Sequence, residues 1–196
     1  LETGVELETI IDDYIPDVAR RLGAKWCEDQ LGFADVTVGS ARLQGLLHEL
    51  SRRAHPHGQT TADHSVAVIV IADEFHTLGA LVLTSQLRRL GYSVKLLIGA
   101  REQVLAQALT DGQFDAVLVS ASHSETLVEL EKFVKTLKRE LGPGTPIIVG
   151  GPILDSCEDV ATATGAHFAT SDVIEALRVC QLKTSRTARS TVRVLG

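Results

Sequence analysis

The sequence predicts an α/β protein in which a five-stranded parallel sheet, covered by helices on both faces, follows a short α-helical segment. Two observations carry this prediction. From Ser65 onward, short β-branched apolar runs alternate with helical stretches, and repeated strand–helix units of this length form parallel sheets. Before residue 55, apolar residues recur at the spacing of three and four that is typical of helices, and no run indicates a strand.

Residues 1–58 are expected to form the helical cap segment. A first helix presents one apolar face, formed by Ile10, Ile11, Tyr14, Val18 and Leu22. Gly23 is expected to interrupt this helix, with a short second helix around Trp26 and Leu31 and a third from Arg42 to Arg53. Residues 55–61 are polar and contain Pro and Gly, which is typical of a linker.

The α/β domain is expected to span residues 64–182. Its predicted strands are 66–71, 93–98, 115–119, 146–149 and 167–169. The predicted helices are 81–90, 101–109, 125–141, 157–165 and 172–180, the last with Ser171 or Asp172 as its N-cap. Right-handed crossovers place helices on both faces. We therefore expect the flavodoxin-like strand order 2-1-3-4-5, in which ligands bind at the carboxyl ends of the strands.

Charge and composition exclude several classes of protein. The formal net charge of -6 argues against a surface that neutralises DNA phosphates, so no direct DNA binding is expected. The basic residues of segment 183–196 are interpreted as a flexible tail. The three cysteines form no CxxC pair, which indicates neither a zinc site nor a disulfide framework. No apolar run has the roughly 18 to 20 residues that a membrane span needs, and a cytoplasmic protein is predicted.

The loop after the first predicted strand contains the first candidate site residues. His76 stands two residues after Glu74. A carboxylate in that position can orient the imidazole through one ring nitrogen and make the other a better metal ligand. Gly79 then allows a bulky group to approach closely.

The loops after the third and fourth predicted strands should meet the first loop at the same edge of the sheet. Ser120 and Ser122 offer hydroxyl groups with little bulk, although Ser122 or Ser124 could instead cap the following helix. Gly150 and Gly151 are also consistent with an ordinary turn.

Three competing activities lack their motifs. A phosphate-accepting receiver needs an Asp at the end of the third strand, where Val119 runs into Ser120. The GxGxxG turn of a dinucleotide-binding fold and the GxSxG elbow of a hydrolase are both absent. The sequence therefore does not predict an enzyme.

The spacing of the three loops resembles cobalamin-binding domains of the methionine synthase and mutase kind. Their pattern is D-x-H-x-x-G, then S-x-L about forty residues later, then G-G after about twenty-seven more. Here Glu74 replaces the Asp, Ser122 replaces the Leu, and Gly150-Gly151 matches the last element. The resemblance implies cobalamin as cofactor, with His76 as the lower axial ligand of cobalt and Glu74 as its hydrogen-bonding partner. It further implies a groove for the displaced nucleotide tail, lined by Ser120, Ser122, Gly150 and Gly151.

The helical segment resembles the region that precedes this domain in AerR, PpaA and AppA-type antirepressors of photosynthesis genes. The matching positions are Gly23, Trp26, Asp29, Leu31, Phe33, 36–39 and 42–44. This resemblance implies a regulatory protein that binds a tetrapyrrole and changes its affinity for a repressor of the PpsR or CrtJ type in response to light or redox state.

Several alternatives stay open from the sequence. Imidazole ligates cobalt and iron alike, so haem is an alternative to cobalamin. Trp26 is assigned to the cofactor site, above the macrocycle, or alternatively to the core of the cap. The chain could also be a corrinoid carrier for a methyltransferase, or an interaction module without a cofactor.

Overall fold

Five parallel strands form one sheet with the order β2-β1-β3-β4-β5, as predicted. The computed structural model describes residues 4–54, 63–72, 74, 76–100, 108–109, 112–122, 127–142 and 144–183. The strands are β1 Ser65–Ile71, β2 Ser93–Ala100, β3 Ala116–Ser120, β4 Ile147–Gly150 and β5 Phe168–Ala169. Each lies within a few residues of its predicted position.

The helices described by the structure surround this sheet and precede it. Helix α1 runs without a break through Leu7–Thr9, the π-helical stretch Ile10–Tyr14 and Ile15–Cys27. The others are α2 Phe33–Ala54, α3 Leu78–Arg89, α4 Leu127–Leu141, α5 Ile153–Ser156, α6 Val160–Thr164 and α7 Val173–Val179. As predicted, Asp172 caps α7, because its carboxylate accepts hydrogen bonds from two backbone N–H groups of the first turn.

The predicted break at Gly23 and the short helix after it are wrong. Helix α1 continues through Gly23 and includes Trp26, and α2 begins at Phe33 rather than Arg42. Within the two helices of this segment, the glycine that packs against the neighbouring helix is Gly39 of α2, where a Cβ would lie 2.9 Å from Leu22 Cδ1. The first two helices can therefore approach each other closely at that point.

The predicted helix 157–165 is also wrong in its first part. Two short helices, α5 and α6, stand there, and Cys157 between them has an extended backbone. Asp159 begins α6, because its side chain accepts a hydrogen bond from the N–H of Thr162. Of the predicted helix 101–109, only residues 108–109 are described, and they are helical. The predicted linker around 55–61 and the tail from 184 lie outside the described residues.

The sheet is buried on both faces because β1 alternates its side chains between two apolar clusters. Ala67, Ile69 and Ile71 face a cluster that includes α4, α5 and α6. Val66, Val68 and Val70 face a cluster that includes α3 and α7. This is the two-sided burial expected of a central parallel strand.

A third apolar cluster attaches the helical segment to the outer side of α3. It is formed by Ile11, Ile15, Leu47, Leu50 and Val82. Polar contacts surround it. Arg89 of α3 forms an ion pair with Asp12, and the Gln44 amide donates a hydrogen bond to the Thr77 hydroxyl at 3.1 Å. The second contact places α2 beside the loop that follows β1.

In the described part of the chain, no helix combines the length and the apolar character needed to cross a membrane.

Candidate functional site

The candidate site lies at the carboxyl ends of β1 and β3. These two strands are neighbours, with Val70 paired to Ser120, and the order of the sheet reverses between them. Such a reversal opens a crevice in which ligands of doubly wound folds bind. Glu74 follows β1, and Ser122 follows β3 two residues after Ser120.

One carboxylate connects the two loops. Glu74 Oε1 accepts a hydrogen bond from the backbone N–H of His76 at 2.7 Å and lies 2.8 Å from His76 Nδ1. Glu74 Oε2 accepts from the backbone N–H of Ser122 at 3.0 Å and from the Ser122 hydroxyl. The predicted hydrogen bond between Glu74 and His76 is therefore present.

The carboxylate and the imidazole differ sharply in exposure. The Glu74 side chain is 2% exposed and the His76 side chain 57% exposed. Burial acts to raise the pKa of Glu74, but the hydrogen bonds from Ser122 and from the backbone and ring of His76 outweigh it. The pKa of Glu74 therefore lies below its usual value. A buried anion thus holds a partly exposed ring.

This arrangement fixes the orientation of the imidazole. An ionised Glu74 can only accept, so the proton shared with His76 belongs on Nδ1, which also lies 3.0 Å from Ser122 Oγ. The lone pair of the neutral ring is then on Nε2. A carboxylate on one ring nitrogen also increases the basicity of the other toward a metal.

Among the described residues of the loops after β1 and β3, His76 is the one imidazole. Among the described residues, no group of three or more His, Cys, Asp or Glu side chains is placed to hold an ion. A bare zinc ion needs such a group. A metal inside a macrocycle has its equatorial ligands already and takes only axial ligands from the protein. The donor set therefore fits a tetrapyrrole.

Neighbouring backbone requires glycine both at the last residue of β4, Gly150, and at Gly151 directly after it. Gly151 has φ +103°, and a Cβ there would lie 2.4 Å from the carbonyl oxygen of Ala121. At Gly150 a Cβ would lie 2.7 Å from the carbonyl oxygen of Thr170. The loops after β3, β4 and β5 therefore meet closely here. That Gly150 and Gly151 also line a groove stays a prediction.

Other predicted site residues occupy different positions. Ser120 is the last residue of β3 and pairs with Gly150, and its role in the groove stays a prediction. Gly79 lies in the first turn of α3, where a Cβ would meet no described atom within 4 Å. This leaves room near His76.

Trp26 lies in the last turn of α1 and is 48% exposed. Its interpretation as a core residue of the cap is therefore wrong, and its assignment to the cofactor site stays a prediction. No described hydrogen bond joins its side chain to Glu74, His76 or Ser122.

The sequence did not reveal the contact between Ser122 and Glu74. The sequence predicts that Ser122 lines the groove or caps a helix. In the structure its hydroxyl donates a hydrogen bond to Glu74, and the described part of α4 begins only at Leu127. Ser124, the other proposed cap, lies outside the described residues. The indication of this contact in the sequence is that Glu74 and Ser122 both differ from the D-x-H-x-x-G and S-x-L pattern.

Comparison with known proteins relates the chain to cobalamin proteins and regulators. Residues 64–178 match the family model described as the B12 binding domain. An uncharacterized 20.5 kDa protein of the bchF-crtJ intergenic region of Rhodobacter capsulatus is 32% identical over 170 residues, 86% of this chain and 88% of that protein. The HTH-type transcriptional repressor CarH of Myxococcus xanthus is 28% identical over 162 residues, 80% of this chain and 51% of the repressor. The chain thus spans about half of CarH.

Solved structures show the same fold. The monomethylamine corrinoid protein of Methanosarcina barkeri superposes with a TM-score of 0.72 at 15% identity, covering 91% of this chain and 84% of that one. A cobalamin-binding protein of Desulfitobacterium hafniense DCB-2 gives 0.53 at 16% identity, covering 89% and 82%.

Proposed function

The chain belongs to the B12-binding domain family, and we propose that it is a regulator that binds cobalamin through His76 and relieves repression by a transcriptional repressor of the PpsR or CrtJ type. The family match supports cobalamin, rather than haem, as the cofactor. The observation that carries the binding site is the buried Glu74 carboxylate, which holds His76 at the crevice between β1 and β3.

The residues present fit this cofactor. Glu74 would keep the proton on His76 Nδ1, and Nε2 would be the nitrogen that ligates cobalt. Gly79 leaves open space in the turn after His76. When bound, cobalamin would supply a metal whose axial bonds change with light or redox state.

In this proposal the helical segment senses the state of the site. The Gln44 amide is bonded to Thr77, the residue directly after His76, and α2 packs on α3, which begins at Leu78. A shift of the loop that contains His76 would therefore change the position of α2. Regulation results if the two states of the cofactor favour different positions of this segment.

The regulatory role is supported by the relatives. One is encoded in the bchF-crtJ intergenic region and aligns over most of both chains. Another is named a transcriptional repressor. With the resemblance of the helical segment to antirepressors, these relatives favour control of transcription over methyl transfer.

The test is a gel-shift titration of a purified PpsR or CrtJ-type repressor on its operator DNA. The protein is loaded with adenosylcobalamin and added in the dark or after illumination. We expect the apparent Kd of the repressor for DNA to differ by about fivefold or more between the two conditions, since coupling energies of 1–3 kcal/mol give such factors.

Two controls make the result specific. The His76→Ala protein should leave the repressor–DNA complex unchanged, whereas His48→Ala, which alters an exposed histidine of α2, should behave as wild type. The protein without repressor should not shift the DNA. If the cobalamin-loaded wild-type protein leaves the apparent Kd of the repressor for its operator unchanged both in the dark and after illumination, the antirepressor role is contradicted.

A further inference from the structure

We propose that a buried polar chain fixes the register in which the helical segment packs on α3, so that Arg89 is a positioning residue for the contact between Gln44 and Thr77. The polar chain consists of Asp12 of α1, Arg89 and Ser85 of α3, and Ser51 of α2. The inference goes beyond the proposed function and does not depend on it, because the register is a property of the cofactor-free protein.

The polar chain crosses all three helices of the interface. The Arg89 guanidinium forms an ion pair with Asp12 through Nη2 and donates a hydrogen bond to the Ser85 hydroxyl through Nη1 at 3.2 Å. The hydroxyl oxygens of Ser85 and Ser51 lie 3.0 Å apart and share a hydrogen bond. Ser85 is 3% exposed and the Arg89 side chain 14%. The centre of the polar chain is therefore shielded from water.

Two polar contacts define how α2 lies along α3. The Gln44 amide donates a hydrogen bond to Thr77, the residue before α3. Ser51, seven residues after Gln44, shares a hydrogen bond with Ser85, eight residues after Thr77. The two helices therefore run in the same direction, with the two polar contacts about two turns apart. Because Thr77 follows His76, this register decides whether α2 touches the loop of the candidate site.

Apolar packing by itself does not determine the register. Helix α2 contributes Leu43, Leu47 and Leu50 to the cluster that contains Val82, at spacings of four and three residues. A shift of α2 by one turn, about 5.4 Å, would bring one leucine to the place of another. Burial of apolar surface has no preferred direction, so shifted packings compete with the observed one.

The polar chain excludes the shifted packings. A displacement of one turn takes the donors and acceptors on the two sides of the interface out of hydrogen-bonding distance. The largely buried Arg89 would then be left without Asp12, and a buried charge without its partner is strongly unfavourable. Only the observed register satisfies both the apolar and the polar side chains.

The polar chain need not increase stability to have this effect. Among the described residues, Asp12 Oδ1 is buried and has no hydrogen-bond partner. Removing two charges from water costs free energy that their attraction offsets only in part, and apolar side chains in the same place are often equally stabilising. Register and stability can therefore be separated by substitution.

The test compares wild type with an apolar variant that carries Asp12→Leu, Arg89→Met and Ser51→Ala together. The register is measured by NMR in the cofactor-free full chain, from the nuclear Overhauser effect between the side-chain amide protons of Gln44 and the methyl group of Thr77. The midpoint of urea unfolding measures stability.

In the apolar variant we expect the urea midpoint not to fall. The Overhauser effect should lose about half of its intensity or more, since two registers of equal free energy would each be occupied half of the time. Arg89→Met alone should lower the midpoint, because it leaves the Asp12 carboxylate at the interface without its cation. Ser51→Ala alone should weaken the Overhauser effect at a midpoint close to that of wild type.

Glu49→Gln is the control on the same helix. Glu49 forms ion pairs with Arg52 and Arg53 and is not part of the polar chain. This variant should keep the wild-type Overhauser effect.

An Overhauser effect of wild-type intensity in the apolar variant would overturn the proposal. A lower urea midpoint in that variant would also overturn it, because the polar chain would then stabilise the attachment rather than select its register. If the apolar variant does not fold, Ser51→Ala decides. An unchanged Overhauser effect there overturns the proposal, and a weaker one at an unchanged midpoint supports it.

Discussion

The imidazole of His76 is more than half exposed, while the carboxylate that holds it is almost completely buried. Four contacts fix that carboxylate between the loops after β1 and β3. The ring can therefore meet a ligand from solvent without being free to turn. If His76 binds a metal as proposed, a ring held in this way would need little reorganisation.

Gly151→Ala tests how closely the backbone after β3 packs against the backbone after β4. The residue has φ +103°, and a Cβ would lie 2.4 Å from the Ala121 carbonyl oxygen. We expect the free energy of unfolding to fall by roughly 2 kcal/mol or more, from strain and collision with backbone. Urea denaturation measures this loss.

Gly144→Ala is the matched control for Gly151→Ala. A Cβ at Gly144 would meet no described atom within 4 Å, so its effect should stay within about 0.5 kcal/mol. Equal losses in the two variants would show that the backbone at Gly151 is not closely packed.

At the scale of elements, the helical segment is part of the same folded unit as α3. Ile11 and Ile15 of α1 and Leu47 of α2 are buried against Val82 of α3. The interface also contains the ion pair between Arg89 and Asp12. The segment should therefore unfold together with the sheet.

Leu47→Ala tests this attachment. Leu47 is 3% exposed, and truncating a buried leucine lowers the free energy of unfolding by about 2–5 kcal/mol. Leu46→Ala is the control, because Leu46 is 45% exposed, and its loss should stay below about 1 kcal/mol. Urea unfolding is followed by far-UV circular dichroism and by the fluorescence of Trp26, the one tryptophan.

Both probes should shift together to lower urea in Leu47→Ala. A fluorescence transition that moves while the circular dichroism transition stays in place would contradict a single folded unit.

The strands were predictable because local patterns determine them. The run 66–71 is apolar throughout and β-branched at every position but Ala67, which is the pattern expected of a strand buried on both faces. The helix boundaries before residue 55 were not predictable, because Gly23 looks like a break until the close contact between Leu22 and Gly39 is seen. Tertiary packing overrides local propensity there.

Within the site, sequence spacing was enough for the contact between Glu74 and His76, which stand two residues apart. It was not enough for Ser122, which is 48 residues from Glu74 in the chain. That contact depends on how far a side chain reaches between two loops, and a motif that records only residue types contains no such distance.

At the scale of the whole molecule, the crevice joins the α/β domain to the helical segment. His76 follows β1, and the hydroxyl of the next residue, Thr77, accepts a hydrogen bond from Gln44 of α2. Glu74 accepts a hydrogen bond from the backbone of the loop after β3. A ligand bound to His76, as proposed, would therefore lie where three parts of the protein meet. Under the proposed function, this placement would let ligand binding change the position of the helical segment.

The most direct test of the account is an absorption titration of hydroxocobalamin with purified protein, comparing wild type, His76→Ala and His48→Ala. Wild type and His48→Ala should both give a saturable change in the corrin spectrum that marks histidine ligation. His76→Ala should lose that change. An identical spectral change in His76→Ala, or binding of haemin but not of hydroxocobalamin by the wild type, would contradict cobalamin binding through His76.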